Sequence, residues 1–315
     1  MTINKLELIK QLRETTQAPM NAVKRALEET DYQMEAATDL IKSRGLQQTK
    51  NTETRVATEG VVRARIHHAN GNTPMGVMFE LTSNTDFQAR TPEFLSFADA
   101  IEQQLLSSAV RDFATAQPIN EQLEVQRQEL VAKTKENIQV RRFFVEEVSG
   151  DNRMIWRYVH NNDKIGVLAS FEAPTADTLH SESFLEFADN VCMQIAAMAP
   201  IAVSRDKLAP ELIERQNGIF QTQLKELGKP EASWPKITEG KLNKWYSEAC
   251  LLEQESVITA KKTIATLADE LSTTLCGEAG RVRVLSFVRC VVGEGIVKEE
   301  TDLAVEVAKT LEGSV

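Results

Sequence analysis

The residues best placed to do chemistry lie in one short run, Leu81-Thr82-Ser83-Asn84-Thr85-Asp86-Phe87-Gln88, where a carboxylate stands beside an aromatic ring. Upstream, Met75-Gly76-Val77-Met78-Phe79-Glu80-Leu81 is apolar enough for a buried strand. Downstream, Thr91-Pro92-Glu93 supplies a helix cap with proline at the first helical position. Thr85, Asp86 and Phe87 therefore fall in a strand-to-helix loop, and loops on a rigid scaffold carry binding residues more often than the elements they join. On residue types alone two readings stay open. Either Asp86 accepts backbone hydrogen bonds and Phe87 folds back onto the core, or Phe87 is presented to a partner.

Other candidate groups are weaker. The chain has no Gly-x-x-x-x-Gly-Lys phosphate loop, no His-Glu-x-x-His and no Gly-x-Ser-x-Gly. His67 and His68 are neighbours on an expected strand and point to opposite faces, and His160 and His180 have no carboxylate or cysteine at ligand spacing. Gly293-Glu294-Gly295 lacks the third glycine of a dinucleotide loop and reads as a turn. Arg141-Arg142 reads as a solvated or internally paired charge rather than a phosphate site. Cys192, Cys250, Cys276 and Cys290 are too far apart for a zinc knuckle or a Cys-x-x-Cys pair, so reduced structural thiols are expected. No catalytic residue, metal or cofactor is expected.

The elements that must position the loop belong to a chain of 315 residues, 42% hydrophobic and 26% charged, long enough for about two or three domains. A net charge of −10 argues against a duplex nucleic-acid binder, whose footprint is a basic face, and favours a protein or small-molecule partner. The chain has no apolar run of membrane-spanning length and no signal-peptide core near Met1, so a cytoplasmic protein without a membrane or direct nucleic-acid partner is expected. Residues 1–45 read as a three-helix module, with Leu8, Ile9 and Leu12, then Val23, Ala26 and Leu27, then Met34, Ala37 and Ile41 at helical spacing. Asp31 can cap the third helix and Gly45 can end it. Residues 46–60 have the composition of a polar linker that leaves the module mobile.

Between Gly60 and Pro210 the sequence repeats itself weakly. Gly76-Val77 matches Gly166-Val167, and Phe94-Leu95-Ser96-Phe97-Ala98-Asp99 matches Phe184-Leu185-Glu186-Phe187-Ala188-Asp189, 90 residues apart in each case. Each copy has a strand pair with a polar turn, Asn70-Gly71-Asn72 or Asn161-Asn162-Asp163, followed by a helix. An α+β fold with a duplicated core follows, its halves at 61–145 and 146–209. The positions equivalent to Asp86 and Phe87 are Ala176 and Asp177, so whatever that pair does, only the first copy does it. Residues 121–140 read as a helix leading into a strand at Phe143. Residues 210–256 read as an antiparallel helical hairpin arm, with helices over Glu211 to Leu227 and Ile237 to Leu252. A helix over Val257 to Leu275 returns to the core within 257–280. Residues 281–315 form a small carboxy-terminal module, with a strand over Arg281 to Val292, a turn, and a helix from Asp302 to Leu311.

The chain resembles the bacterial elongation factor Ts family, guanine-nucleotide exchange factors for elongation factor Tu. The resemblance rests on Ile9-Lys10-Gln11-Leu12-Arg13-Glu14-Thr15-Thr16, Met20 to Leu27, Ala36 to Gly45, the Thr85-Asp86-Phe87 loop and Glu136-Asn137-Ile138-Gln139-Val140-Arg141-Arg142. It continues in Val292-Gly293-Glu294-Gly295-Ile296 with Glu300-Thr301-Asp302-Leu303-Ala304. No single match decides it, but their order and number are specific. The resemblance implies a ubiquitin-associated-like amino-terminal module, a duplicated core, an inserted coiled-coil arm and no enzyme activity. It also implies that Thr85, Asp86, Phe87 and Gln88 enter elongation factor Tu beside its magnesium, with Phe87 as a wedge. Met20 and Asn21 would touch the same partner domain, and the second half-domain would dock elsewhere on it. The chain departs from the family at Gln88, where valine is usual, at Ser83 and Asn84, and at Gln17-Ala18-Pro19. Two other classes compete: an adaptor that binds through the helical module and arm without changing nucleotide affinity, and an enzyme with an unrecognised pocket. A homodimer through the arm is also left open.

Overall fold

Alternation along the central strands builds two sheets that share one seam. In the computed structural model, which describes residues 5–16, 18, 20–52, 55–69, 73–107 and 120–296, β1 (Glu59–Ala69), β2 (Thr73–Ser83) and β3 (Gln139–Glu147) form one three-stranded antiparallel sheet. β4 (Arg153–His160), β5 (Ile165–Glu172) and β6 (Arg283–Val291) form the other. The helices are α1 (Lys5–Thr16), α2 (Met20–Glu29), α3 (Met34–Thr52), α4 (Pro92–Ser107), α5 (Glu121–Thr134), the single turn α6 (Ala176–Leu179), α7 (Glu182–Met198), α8 (Pro210–Glu226), α9 (Trp234–Ala249) and α10 (Ile264–Leu275). The fold is α+β. Among the described residues no helix is long and apolar enough to cross a membrane.

In β2, Val77, Phe79 and Leu81 pack with Phe94, Phe97 and Ile101 of α4 and Leu130 of α5, while Met78 faces the other way. In β5, Val167, Ala169 and Phe171 pack with Phe184, Val191 and Ile195 of α7, while Leu168 faces the other way. The two outward faces meet, so Met78, Val62 and Ala64 of one sheet join Ile155, Leu168 and Cys290 of the other in a shared apolar layer. Period-two alternation thus yields four layers, helices, sheet, sheet and helices. The repeated glycines permit the close approach of the sheets. A Cβ on Gly166 would stand 2.4 Å from Val62 Cγ1 and 2.8 Å from Met78 Sδ, and one on Gly76 would stand 3.0 Å from Ile155 Cγ2.

The two halves are built alike, β1-β2-α4-α5-β3 and β4-β5-α7-α10-β6. Even the register shifts coincide, between Glu80 and Leu81 against β3 and between Ser170 and Phe171 against β6. The second copy differs by the helical hairpin α8–α9 inserted between α7 and α10. At the root of that arm Arg205 bonds Glu253 at 2.5 and 2.7 Å and Asn243 at 3.0 Å, with its guanidinium over the Tyr246 ring.

Several sequence expectations need correction. The strand over 283–291, assigned to a carboxy-terminal module, completes the second sheet, because it is the copy of β3. The helix over 121–140 stops at Thr134, where Lys135 takes a left-handed conformation, and Arg141 and Arg142 lie inside β3. The helix expected from Val257 starts at Ile264, capped by Thr263, after a loop pinned by the Val257 N–H donating to Gln194 Oε1. The third amino-terminal helix runs past Gly45 through Thr52, so a continuous helix occupies much of the expected linker. A helical glycine costs about 1 kcal/mol relative to alanine, which packing of α3 against α5, with Thr52 buried, can offset. Asp31 does not cap α3; it and Tyr32 take left-handed conformations in the turn before Met34. The amino-terminal core itself is Leu12, Val23, Ala26, Leu27 and Ala37, with Leu8, Ile9 and Ile41 against it. Gln17, Pro19, the Asn70-Gly71-Asn72 turn, and Glu300 to Ala304 with the helix expected from Asp302 lie outside the described residues.

Candidate functional site

The loop between β2 and α4 is a tight turn whose polar groups are spoken for and whose aromatic ring is not. Thr85 Oγ1 accepts from the Gln88 N–H at 3.2 Å, the Thr85 carbonyl accepts from the Ala89 N–H at 3.4 Å, and the Ser83 hydroxyl donates to the same carbonyl at 2.9 Å. Thr91 caps α4, its Oγ1 accepting from the Phe94 N–H at 3.3 Å while donating to the Gln88 carbonyl at 3.0 Å. Within this frame Phe87 is 81% exposed, so it does not fold back onto the core. Asp86 pairs with Arg90 one turn on, at 3.2 Å, with both side chains in contact with solvent. Gln88, expected at the contact with a partner, is buried and donates through Nε2 to Thr91 Oγ1 at 3.2 Å. Met20 (41% exposed) and Asn21 open α2 on the surface of the amino-terminal module.

A second segment holds the base of the loop. The Glu136 carboxylate accepts the Thr85 N–H at 3.0 Å and the Thr85 hydroxyl at 2.6 Å. The Asn137 N–H donates to Asn84 Oδ1 at 2.6 Å, Asn84 Nδ2 donates to the Val56 carbonyl at 2.8 Å, and Asn137 Nδ2 donates to the Arg55 carbonyl at 2.7 Å. Glu136 and Asn137 are in turn placed by α5, whose Lys133 pairs with Glu93 of α4 at 2.9 Å and whose Arg127 donates to the Ile138 carbonyl at 3.0 Å. Residue reading singled out the loop and missed this anchor, since Glu136 lies 51 residues from Thr85.

The second copy repeats the turn without its presented groups. Thr175 Oγ1 accepts from the Thr178 N–H at 3.3 Å, and Ser181 Oγ accepts from the Phe184 N–H at 3.3 Å, one repeat on from Thr85 and Thr91. From Asp86 to Arg90 exposure also repeats in residues 176–180, with Asp177 exposed where Phe87 is exposed and Thr178 buried where Gln88 is buried. The capping bonds are therefore common to both copies, the turn between them being 3-10 over Gln88–Arg90 in the first and a single α turn over Ala176–Leu179 in the second, and the presented chemistry belongs to the first.

Arg141 and Arg142 are internally paired. Both contact the fully buried Glu80 carboxylate, Arg141 Nη1 at 2.9 Å and Arg142 Nε at 2.6 Å, and the Gly293 N–H donates to the same carboxylate at 2.7 Å. Arg142 also reaches the Val291 carbonyl at 2.9 Å, so the cluster ties the first sheet to the turn that follows β6. Burial beside this cluster pushes the Cys290 thiol up to about 12. Among the described residues the four cysteines are free, and no His, Cys, Asp and Glu cluster is placed to hold a metal ion. His67 and His68 sit on β1 opposite Met75 and Pro74.

Comparison with known proteins agrees with this architecture. The family described as Elongation factor TS matches residues 84–294, which begins at the loop and ends at the turn held by Arg141 and Arg142. A protein named Elongation factor Ts from Trichlorobacter lovleyi is 35% identical over 307 residues, 95% of this chain and 96% of that protein. Proteins of the same name from Clostridium botulinum (strain Alaska E43 / Type E3) and Nitratidesulfovibrio vulgaris (strain DP4) are each 36% identical, over 310 and 293 residues, covering 96% and 93% of this chain and 97% of each relative. With a family match that spans both sheets and identity that runs along nearly the whole length, the chain belongs to the elongation factor Ts family.

Proposed function

We propose that this protein is a guanine-nucleotide exchange factor for elongation factor Tu in translation elongation, and that the Thr85-Asp86-Phe87 loop promotes GDP release by disturbing the partner's magnesium site. The observation that carries the reading is Phe87, 81% exposed on a turn whose own hydrogen bonds are satisfied. A rigid turn with a bare ring loses little entropy on docking, so burial of the ring is available to displace the partner's atoms.

The physical requirement is differential binding. A factor that binds the nucleotide-free partner more tightly than the nucleotide-bound one lowers nucleotide affinity by the same ratio. Burying a phenylalanine contributes about 1.5–3 kcal/mol, which at about 1.4 kcal/mol per decade supports a weakening of about ten- to a hundredfold. Magnesium keeps near-octahedral oxygen ligation at about 2.0–2.1 Å, so displacing the partner's ligating segments by about an ångström is enough to break it. Asp86 is held back by Arg90 and is poised to repel phosphate or to accept from a displaced backbone N–H.

Two more surfaces fit the same partner. Met20 and Asn21 open α2 on the amino-terminal module and are proposed to touch the domain that Phe87 enters. On the second half-domain Met198, Ile201, Val257 and Ile258 are each about half exposed near the end of α7 and make an apolar face for a separate contact. The test is release of labelled GDP from purified elongation factor Tu. Acceleration by this protein supports the proposal, and binding without acceleration would make it an adaptor instead.

A further inference from the structure

We infer that Glu136 is a positioning residue for exchange, one that holds the Thr85–Phe87 turn so that the Phe87 ring is presented rather than free to collapse. The inference rests on the proposed role of Phe87. Glu136 is half-buried at the junction of α5 and β3, and its two carboxylate oxygens take both donors of Thr85, the N–H at 3.0 Å and the hydroxyl at 2.6 Å. Hydrogen bonds to a charged acceptor are the stronger kind, and a paired set fixes orientation as well as distance. With its own proton directed to Glu136, Thr85 Oγ1 keeps a lone pair for the Gln88 N–H, so one carboxylate sets both sides of Phe87.

The duplication supplies an internal control. Thr82 stands opposite Gln139 in the first sheet and Glu172 opposite Arg283 in the second, and Thr82 and Glu172 are repeat equivalents. Counting back three residues from each partner, Glu136 corresponds to Gly280, which has no side chain to offer. There the gap is filled sterically, since a Cβ on Gly280 would meet Pro174 Cγ at 2.9 Å, and Pro174 is the equivalent of Asn84. Both copies keep the two side-chain caps of the turn, Thr85 and Thr91 in the first and Thr175 and Ser181 in the second. The turn is 3-10 over Gln88–Arg90 beside Glu136 and a single α turn over Ala176–Leu179 beside Gly280, so a capped turn forms without the carboxylate and its form differs where the carboxylate is present. The anchor of Glu136, Asn137 and Asn84 occurs in the copy that presents the aromatic ring, as expected if it serves presentation rather than folding.

The test combines amide hydrogen exchange across residues 84–90 in the free protein with GDP-release kinetics on elongation factor Tu. For Glu136→Ala the expected result is at least about tenfold faster amide exchange in the loop and a limiting release rate about tenfold lower, with the half-saturating concentration changed less than about threefold. Glu136→Gln, which keeps an acceptor, should recover part of both effects, and it serves as the readout if the alanine variant folds poorly. In a Phe87→Ala background Glu136→Ala should lower the limiting rate no further, because its effect passes through that ring. Unchanged loop protection, or full additivity with Phe87→Ala, overturns the inference while leaving the role of Phe87 intact. A normal release rate for Phe87→Ala alone overturns the wedge, and the positioning role with it, even if loop protection still depends on Glu136.

Discussion

Replacing Phe87 with alanine should separate function from stability, because the ring is 81% exposed and little of its apolar area is covered in the free protein. Full burial of a phenylalanine is worth about 1.5–3 kcal/mol, so the fifth or so of the ring that is covered contributes about 0.5 kcal/mol to folding. For a chain of this size that is a fall in melting temperature of about 1–2 °C. The same ring buried in a partner forgoes the larger sum, so the catalysed GDP-release rate at limiting factor should fall by about ten- to a hundredfold. The assays are thermal unfolding of the variant and stopped-flow release of a fluorescent GDP analogue from elongation factor Tu. A melting temperature lower by 6 °C or more, or a release rate within twofold of the parent protein, would refute the reasoning.

Gly166→Ala should destabilise by about 1–3 kcal/mol through overpacking, since its Cβ would lie 2.4 Å from Val62 Cγ1, and Gly76→Ala should cost less because its nearest contact is 3.0 Å; urea midpoints rank the two. Glu80→Gln should cost about 3–5 kcal/mol by leaving two buried-side guanidiniums short of a partner, read as a lower urea midpoint with an unchanged slope. Burial raises the Cys192 and Cys290 thiols, the latter to about 12. Raised values keep the thiols protonated, so at pH 8 an aromatic disulfide reagent should label the part-exposed Cys276 in the native protein, and all four cysteines only after denaturation. Rapid labelling of Cys290 in the folded protein would contradict the buried cluster around Glu80.

Local signals in the sequence were the reliable ones. The amino-terminal core residues, the Thr91 cap with Pro92 and the strand-to-helix loop are all set by spacing within about a turn, where periodicity and capping act. The duplication was legible through Gly76 and Gly166 because the sheets pack closely at both places, a Cβ clashing with Val62 and Met78 at Gly166 and fitting only tightly against Ile155 and Leu168 at Gly76. Longer-range competition decided the rest. Gly45 reads as a stop by its own propensity, yet packing of α3 on α5 carries the helix through it. The strand at Arg283 looks like part of a terminal module until its pairing with β5, more than a hundred residues earlier in the chain, is seen. Glu136 and Glu80 carry no local signature, since the groups they hold, Thr85 and Arg142, lie 51 and 62 residues away. Whether Phe87 points in or out was open from residue types, and the turn geometry around Thr85 settles its exposure.

The claim that joins these observations is that docking of this protein and binding of nucleotide oppose one another on elongation factor Tu. The most direct measurement is the affinity of this protein for elongation factor Tu with and without saturating GDP and magnesium, by titration calorimetry. Linkage requires that the affinity fall by the same factor that this protein lowers GDP affinity, so a loss of about ten- to a hundredfold on adding GDP and magnesium is predicted. Equal affinity for the nucleotide-free and GDP-bound partner would contradict the account, however tight the binding.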